Sequence, residues 1–465
     1  MATRRSIHSS SKRPSSNDQL LVATTSASSP TTPSTATDMR SPAPLSVLPL
    51  HMIIRSLLTS TISSSPILLP PSLWIISALA HTTNPVLNPD RNPLLRFLLK
   101  HTFYAQFCAG ENPTEVTRTI ARLKDIGFTG VILGYAKEVV LTDSQAQDFA
   151  LCMEGKTAQE CVDNEIMPWA EGTLETVRLA QPGDFVALKF TGAGRQALHS
   201  LSEHLPPSTA MADAIDSICS LATERGVRLL FDAEQAALQP GIDDWAVDYM
   251  RKYNTVPGNA IVYNTYQAYL KSTPLTLRHH LRTAQAEGFT LGVKLVRGAY
   301  IGSDPRHLIH DTKADTDVAY DSIAESLLRR QWGDVLQGDS HMPPVSLVLA
   351  SHNAESVRRA RTICDTGEAK IQVAFAQLQG MADEVSCELL PSKSPAGVRE
   401  KHAGSRAVDA YKYLVWGSTG ECMKYLLRRA HENRDAVQRT RDGRNAVWHE
   451  LVRRAKNAVG VSVLR

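Results

Sequence analysis

Eight short apolar runs, each followed by a longer amphipathic stretch, occupy the chain from about residue 98 onward. Short runs rich in β-branched residues are typical of buried parallel strands, and the amphipathic stretches between them are typical of covering helices. Eight strands that alternate with helices fit a closed barrel, so the pattern predicts a (β/α)8 architecture. The runs lie at residues 130–135, 185–190, 228–231, 261–264, 292–296, 346–350, 370–375 and 411–415.

Polar residues stand in or just after most of these runs. In a (β/α)8 barrel the carboxyl ends of the strands meet at one mouth, and active sites lie there. Any one of these residues could be an ordinary loop residue, but their recurrence predicts a polar site at the mouth. The residues are Lys189, Asp232, Glu234, Gln267, Arg297, Tyr300, His352, Asn353, Gln377 and Gln379.

The chain begins with about 90 residues that are rich in Ser, Thr and Pro. Before residue 90 there are six Lys or Arg residues but only two acids, Asp18 and Asp38. This composition is typical of a mitochondrial transit peptide, although a low-complexity leader without that role would look similar. We therefore expect residues 1–90 to be a disordered leader that does not pack. Residues 91–465 are expected to form the barrel domain with an N-terminal helical arm.

The most apolar part of this leader is the stretch PILLPPSLWIISALA at residues 66–80. It contains internal prolines and is shorter than the ~20 residues that a membrane-spanning helix needs. We interpret it as a surface-seeking or processing segment.

Charge and cysteine content exclude several classes of protein. The formal net charge is only +3, and basic residues alternate with acidic ones, which is unlike a nucleic-acid-binding surface. The seven cysteines are scattered, without a CxxC pair or a His spacing typical of a zinc site. Reduced structural thiols and no metal are expected, in a reducing compartment such as the cytosol or the mitochondrial matrix side.

One motif is typical of a dinucleotide-binding fold. The segment TGAGRQA at residues 191–197 follows a predicted strand and matches the pattern GxGxxA. The dinucleotide fold also needs a second strand that ends in an acid ~20 residues later. The stretch to Asp213 passes through SEHLPPSTAMADA instead. We therefore expect any flavin or nicotinamide to bind at a barrel mouth.

Two adjacent arginines occur in the helical segment YLLRRAHEN at residues 425–433. Arg428 and Arg429 lie four and three residues before Glu432, so either could pair with it on one helix face. A solvated basic face would explain the pair. Alternatively, planar guanidinium groups can bind a substrate carboxylate through two parallel hydrogen bonds. The segment thus offers a carboxylate clamp.

The segment KLVRGAY at residues 294–300 places Lys294 and Arg297 at a strand and its exit. Alternation along a strand predicts that the two side chains lie on opposite faces. A buried ammonium needs a carboxylate partner or an anionic ligand. Gly298 indicates a close approach of the backbone to another group. Carboxylates of the segment FDAEQ at 231–235 could compensate Lys189 or the clamp, although Asp232 could instead cap a helix.

These segments, taken in order, resemble the proline dehydrogenase family in its eukaryotic mitochondrial form. The resemblance covers roughly residues 98–445. It rests on TFYAQFCAGE, FDAEQ, NTYQAYL, KLVRGAY, TKADTDVAY, ASHNAES, FAQLQGM and YLLRRAHEN. It implies a distorted (β/α)8 TIM barrel with an N-terminal helical extension. It also implies FAD bound at the barrel mouth and oxidation of L-proline to 1-pyrroline-5-carboxylate.

The resemblance assigns substrate roles by position. Arg428, Arg429 and Lys189 would hold the proline carboxylate, and Asp232 would support that ion network. The residues that would enclose the pyrrolidine ring are Tyr300, Leu378 and Tyr413.

A second set of residues is assigned to the cofactor. Lys294 would lie near the flavin nitrogen that receives the hydride, and Glu432 would orient the two arginines. The other expected FAD contacts are Gln267, Arg297 and His352. A membrane quinone is the electron acceptor that the family implies, at the matrix side of the inner mitochondrial membrane.

Three other functions stay open on the sequence alone. Hydroxyproline dehydrogenase uses the same scaffold, although the Tyr413 phenol would fill the space that a ring hydroxyl requires. A Schiff-base lyase or aldolase could use Lys189 or Lys294 as its nucleophile. A catalytically inactive barrel would be expected to lose its costly charged residues, yet Asp232 and the two arginines are present.

Overall fold

The computed structural model describes residues 43–82, 84–136, 155–339, 341–391, 408–432 and 437–459, with backbone only at 431, 432 and 437–439. In this part of the chain the predicted closed barrel is confirmed. Eight parallel strands pair in sequence order, and β8 returns to pair with β1. The strands are β1 Gly130–Tyr135, β2 Phe185–Leu188, β3 Arg228–Phe231, β4 Val262–Gln267, β5 Leu291–Val296, β6 Val345–Ala350, β7 Val373–Leu378 and β8 Asp409–Trp416.

Three predicted strands end at least two residues from the observed ends at the mouth. β4 ends at Gln267 and not at residue 264, so Gln267 is the last residue of the strand and does not follow it. β2 ends at Leu188, so Lys189 follows the strand and is not within it. β7 lies three residues later than the predicted run 370–375 and ends at Leu378, which pairs with Tyr413 of β8. The three-residue shift of β7 could not be predicted from the apolar run, because the ends of a strand depend on its register with both neighbouring strands.

The α-helices of the described chain flank this barrel. Five precede β1: α1 Leu50–Ser64, α2 Leu69–His81, α3 Pro93–Leu99, α4 Ala105–Phe107 and α5 Pro113–Ile126. The helices from β1 onward are α6 Gly155–Cys161, α7 Met167–Leu179, α8 Arg195–Ser202, α9 Thr209–Arg225, α10 Gln239–Tyr253, α11 Thr273–Glu287, α12 Lys313–Arg329, α13 Ala354–Asp365, α14 Asp383–Glu388, α15 Thr419–Glu432 and α16 Val437–Ala458.

Local sequence sets several of the helix ends near the mouth. Thr312 caps α12 in a reciprocal capping box with Asp315, and the Asn353 side chain accepts from two backbone N–H groups at the start of α13. At the amino end of the barrel, Gly226 ends α9 with φ 64°, a conformation that costs glycine little, and β3 begins two residues later. The first two signals fix where α12 and α13 leave the barrel mouth.

The expectation that the first 90 residues do not pack was wrong for α1 and α2. α1 lies against α16 and buries Ile53, while α2 lies against α15 and buries Ala80. Their apolar residues recur at helical spacing, so each helix has one face to bury despite the Ser-rich composition. The described arm therefore begins well before the predicted domain start at residue 91. Residues 1–42 lie outside the described part, where the leader stays a prediction.

The apolar stretch at 66–80 coincides largely with α2. Among the described helices, none taken singly has the length and apolar composition needed to cross a bilayer. α1 and α2 would satisfy both conditions as a pair, but the chain bends by 105° between them.

Aromatic side chains close the barrel at the amino ends of its strands. The Phe185 ring meets Tyr411 and Tyr263 edge to face, at centroid distances of 5.0 and 5.6 Å. The Arg228 guanidinium lies 3.7 Å from the centroid of the Phe185 ring. This layer fills the amino end. A ligand that enters the barrel therefore comes from the opposite end.

His280 is a buried histidine in the helical layer, and it predicts acid sensitivity. Burial lowers the pKa of its imidazole from 6.5 to about 4, and its Nδ1 is 2.8 Å from the Tyr266 hydroxyl. Because the unfolded chain binds this proton more readily, the free energy of unfolding should fall as the pH drops from 6.5 towards 4. At pH 5 we expect a loss on the order of 2 kcal/mol from this residue.

Urea unfolding of the wild type and of His280→Gln at pH 7.5 and pH 5 measures this contribution. Glutamine can still bond to Tyr266 but does not titrate, so the variant should lose less stability in acid. His307→Gln, at an exposed site, is the control. An identical pH dependence in the wild type and His280→Gln would contradict the assignment.

Candidate active site

A cavity of about 1180 Å³, measured up to its open mouth, lies at the carboxyl ends of the strands. Its wall brings together most of the residues predicted for the site. Among the charged side chains of the described wall, four are cationic (Lys189, Lys294, Arg297 and Arg429), and one, Asp232, is a carboxylate. The other predicted residues in the wall are Gln267, Tyr300, His352, Leu378 and Tyr413.

Asp232 is the centre of a buried network that joins three strands. Its Oδ1 accepts from Lys294 Nζ at 2.5 Å, and its Oδ2 accepts from the Tyr413 hydroxyl at 3.0 Å. Asp232 follows β3 and precedes α10 by several residues, so it does not cap a helix. The sequence suggested Lys189 or the arginines as the groups that Asp232 compensates. The structure gives Lys294 as its ion-pair partner, because β5 brings that ammonium to the same depth of the barrel.

A second buried carboxylate, Glu234, stabilises the loops around the mouth. Its Oε1 accepts from the backbone N–H of Thr191 at 2.9 Å. The Gln267 side chain donates to the Glu234 carbonyl at 3.4 Å and accepts from the backbone N–H of Ala299 at 3.2 Å. These bonds connect the loops after β2, β3 and β5. They position Tyr300, which directly follows Ala299.

Tyr300 is a phenol surrounded by charged groups. Burial raises its pKa, and the Glu234 carboxylate raises it further, while Lys189, Arg429 and Arg428 act in the opposite direction. Its hydroxyl donates to the Ala233 carbonyl at 3.1 Å. Lys189 and both arginines are therefore near enough to this phenol to act on it electrostatically. Lys189 and Arg429 line the cavity together with Tyr300, whereas Arg428 is not part of the described wall.

The two arginines are carried by α15, which α2 and α3 fix from outside. Buried Met423 and Leu427 pack in one cluster with Ala80 of α2 and Leu99 of α3. Arg429 lines the cavity, and its guanidinium lies 5.6 Å from the centroid of the Tyr425 ring. The side chain of Glu432 lies outside the described residues. Its role as orienting group therefore stays a prediction.

The side chains at the exit of β5 do not lie on opposite faces as expected. Lys294 and Arg297 line the same cavity, because β5 ends at Val296 and the alternation of a strand does not extend to Arg297. Arg297 forms an ion pair with Asp317 and donates to Ser356 at 3.2 Å. Gly298 makes the close approach that was expected, since a Cβ at φ 148° would lie 2.4 Å from the Tyr269 ring.

His352 holds the end of β7. Its Nε2 accepts from the backbone N–H of Leu378 at 3.0 Å, so in the neutral ring the proton is on Nδ1. Leu378, half-buried, is thereby fixed in the cavity wall, next to Tyr413 in the strand pairing.

The donor set of the cavity fits an anionic aromatic cofactor such as FAD. Within the described structure, Gln377 Oε1 is buried and has no hydrogen-bond partner. Gln377 lines the cavity, so this acceptor suits a ring N–H of a bound group. Cations of the same wall suit phosphates and a ring that gains negative charge. The residues placed to hold such a cofactor are therefore Lys294, Arg297, His352 and Gln267.

Sequence reasoning did not assign site roles to Tyr425 and Gln377. Tyr425 lines the cavity and lies four residues before Arg429, a spacing that puts both on one helix face. The four-residue spacing between Tyr425 and Arg429 is visible in the sequence. Gln377 was noted at a strand end, yet only the observed register of β7 directs it into the cavity.

Comparison with known proteins places this geometry in a family. A model of the proline dehydrogenase family matches residues 116–442. A probable mitochondrial proline dehydrogenase from Schizosaccharomyces pombe is 31% identical over 417 residues, 78% of this chain and 80% of the relative. Human mitochondrial proline dehydrogenase 1 is 33% identical over 53% of this chain, but only 39% of its own length is matched. A hydroxyproline dehydrogenase from Bos taurus is 29% identical over 77% of this chain and 82% of the relative.

A solved structure agrees at the level of the fold. Proline utilization A from Bdellovibrio bacteriovorus, inactivated by N-propargylglycine, superposes with a TM-score of 0.58 at 16% identity. The match covers 82% of this chain and 41% of that one. The family model covers more than half of the chain, and the fission yeast relative is matched over most of its length. This chain therefore belongs to the proline dehydrogenase family of oxidoreductases.

Proposed function

We propose that the chain oxidises L-proline to 1-pyrroline-5-carboxylate by hydride transfer to bound FAD, in the mitochondrion, and passes the electrons to a membrane quinone. The family acts on proline in the first step of proline breakdown. The observation that carries the proposal is the charge of the cavity wall, with four cations and one carboxylate. Lys294 is paired with Asp232, and Arg297 is paired with Asp317. Cationic donors next to buried polar groups suit an anionic substrate together with an anionic cofactor.

The substrate carboxylate would bind at the corner formed by Lys189, Arg428 and Arg429. Guanidinium groups bind a carboxylate through parallel hydrogen bonds, which fixes its orientation as well as its charge. Tyr300, Leu378 and Tyr413 would then enclose the ring. Holding both ends of the imino acid keeps the reacting carbon in one position.

FAD, when bound, would supply a two-electron acceptor for the hydride. The ammonium of Lys294 would stabilise negative charge that develops on the ring system, while its bond to Asp232 keeps it in place. The rest of the cofactor would be held by Gln377, Gln267, Arg297 and His352.

The amine of proline must be neutral before a hydride leaves the neighbouring carbon. Asp232 is the one carboxylate of the described wall, and both of its oxygens already accept hydrogen bonds from Lys294 and Tyr413. Tyr300 keeps its proton, because burial raises its pKa. We infer that the amine releases its proton to water.

An apolar cavity next to the active site supports a lipophilic electron acceptor. It has about 1360 Å³ of empty space, up to its open mouth, between α1 and α2 on one side and α15 and α16 on the other. Four wall residues are shared with the active-site cavity: Leu378, Tyr413, Tyr425 and Arg429. A quinone ring here would reach the active-site cavity through the wall that these four residues share. Because a quinone is soluble in the membrane, this acceptor supports a location of the enzyme at the matrix side of the inner mitochondrial membrane.

The structure favours this chemistry over the alternatives. A Schiff-base mechanism needs a neutral lysine, whereas Lys294 is held as an ion pair with Asp232. Hydroxyproline is the nearer competitor, because a hydroxyproline dehydrogenase is among the relatives. The Tyr413 phenol is fixed by its bond to Asp232, which leaves it in the space that a ring hydroxyl would need.

An anaerobic titration tests the proposal. The purified protein should be yellow, L-proline should bleach the flavin absorbance, and a short-chain quinone should restore it. Comparing kcat/KM for proline and 4-hydroxyproline decides between the two imino acids. Treatment with borohydride plus substrate should give no covalent adduct. A flavin spectrum that does not change at saturating proline would disprove the assignment.

A further inference from the structure

The N-terminal arm exposes an apolar surface on three successive helices. In α1, Leu50, Ile54 and Leu58 recur every fourth residue and are all exposed. In α2 the exposed pair is Trp74 and Ile75, with Trp74 73% exposed. In α3, Leu94, Phe97 and Leu98 form one exposed stripe, and Leu94 is 77% exposed. These eight exposed apolar side chains lie on three successive helices, whereas an ordinary surface exposes such residues singly.

The inner faces of the same helices are already used. α1 packs on α16, and α2 and α3 pack on α15 through the cluster of Ala80, Leu99, Met423 and Leu427. The exposed stripes are therefore outer faces of helices that the fold holds in place. Between residues 43 and 89 the sequence contains no acidic residue at all. We call the outer faces of α1, α2 and α3 the arm surface.

A basic cavity adjoins the arm surface between α1, α3 and α5. Its described wall includes five permanent cations against one carboxylate, Glu115, which pairs with Lys100 at 2.6 Å. Arg96, Arg118 and Arg122 are exposed there, and within the described structure no carboxylate lies in ion-pair contact with them. The remaining cations are Arg55 and Lys100. Apolar stripes beside exposed arginines have the charge pattern that an anionic lipid surface requires.

We propose that the arm surface docks in the plane of an anionic lipid bilayer. Trp74, Leu94 and the apolar residues beside them would enter the boundary between head groups and acyl chains, and the arginines would contact lipid phosphates. The proposal deepens the proposed function by naming the docking surface, and it rests on that function for the quinone supply. The apolar cavity under α1 and α2 would then lie next to the bilayer.

Two other occupants of the arm surface fit less well. Residues 1–42 carry five basic and two acidic residues, so they would be repelled by the basic cavity. A second copy of the chain would bring its own Arg96, Arg118 and Arg122 to the same interface, again placing like charges together.

Flotation of the FAD-loaded full chain with vesicles tests the docking surface. Vesicles of phosphatidylcholine with about one fifth phosphatidylglycerol should bind the wild type, and phosphatidylcholine alone should bind it much less. High salt should release it. Trp74→Ser/Leu94→Ser should weaken binding roughly tenfold or more, because both side chains would leave the acyl boundary. Leu275→Ser/Val318→Ser, two exposed apolar residues on α11 and α12, should bind like the wild type.

A charge-matched pair of variants tests the lipid phosphates. Arg118→Glu/Arg122→Glu should weaken binding to the anionic vesicles by roughly twentyfold or more. Lys156→Glu/Lys370→Glu changes the net charge by the same amount at exposed sites outside the basic cavity, and should have a much smaller effect.

The outcomes separate this proposal from the proposed function. If both arm variants bind anionic vesicles as tightly as the wild type, the docking surface is disproved. If light scattering instead shows a dimer that Trp74→Ser/Leu94→Ser dissociates, with no vesicle binding, the surface is an interface between copies. Bleaching of the flavin by proline, measured without lipid, should be the same in all these variants. Loss of bleaching in the wild type with vesicle binding intact would overturn the proposed function alone.

Discussion

Replacing Arg429 by methionine is expected to raise the KM for proline by about 100-fold or more, while FAD stays bound. The guanidinium lines the cavity beside Tyr425 and acts electrostatically on Tyr300, so it lies where a substrate carboxylate would bind. Removing one partner of a buried, hydrogen-bonded charge pair costs about 2–5 kcal/mol, which accounts for this factor. Steady-state kinetics with a soluble dye as acceptor measure it.

The control for this variant is Lys424→Met, which removes an exposed cation from the same helix at a position outside the cavity wall. Its KM for proline should stay within about twofold of the wild type, since an exposed charge at this distance is screened. The flavin content of both proteins should equal that of the wild type. An unaltered KM in Arg429→Met would show that the carboxylate binds elsewhere.

Replacing Asp232 by alanine is expected to destabilise the fold by about 3–5 kcal/mol and to change proline oxidation as well. The substitution leaves the Lys294 ammonium buried without its carboxylate, and it leaves the Tyr413 hydroxyl without its acceptor. Loss of the bond to Tyr413 frees a wall of the substrate pocket, so kcat/KM for proline should fall. Urea unfolding gives the stability, and the same kinetic assay gives the activity.

The chain offers a matched control in a second buried ion pair. Lys412 Nζ donates to Asp383 Oδ1 at 2.7 Å, away from the active-site wall, and Ser386 also accepts from it. Asp383→Ala should therefore lower the free energy of unfolding by a similar or slightly smaller amount than Asp232→Ala. Asp383 lines the apolar cavity proposed for the electron acceptor, so the two variants are compared by anaerobic flavin reduction with proline, which should change little in Asp383→Ala once folded. An equal loss in the rate of flavin reduction in both variants would mean that Asp232 acts only through stability.

The closed barrel and the position of its mouth could be predicted from the sequence. The period of apolar residues is a local property, and parallel strands that alternate with helices must bring their carboxyl ends together. This is why ten of the predicted site residues line one cavity. For the same reason β1 and β3 were predicted with their observed bounds.

The sequence by itself determined which kinds of side chain lie at the mouth. The residue types that follow each strand, and the direction of each strand, are given by the order of residues in the chain. Only the tertiary structure decided which of them are partners. Lys294 and Asp232 are 62 residues apart, and Tyr413 and Asp232 are 181 apart, so their contacts depend on strand register and not on spacing. The packing of α1 and α2 was decided in the same way, since a Ser-rich helix is ordered only when α15 and α16 cover its apolar face.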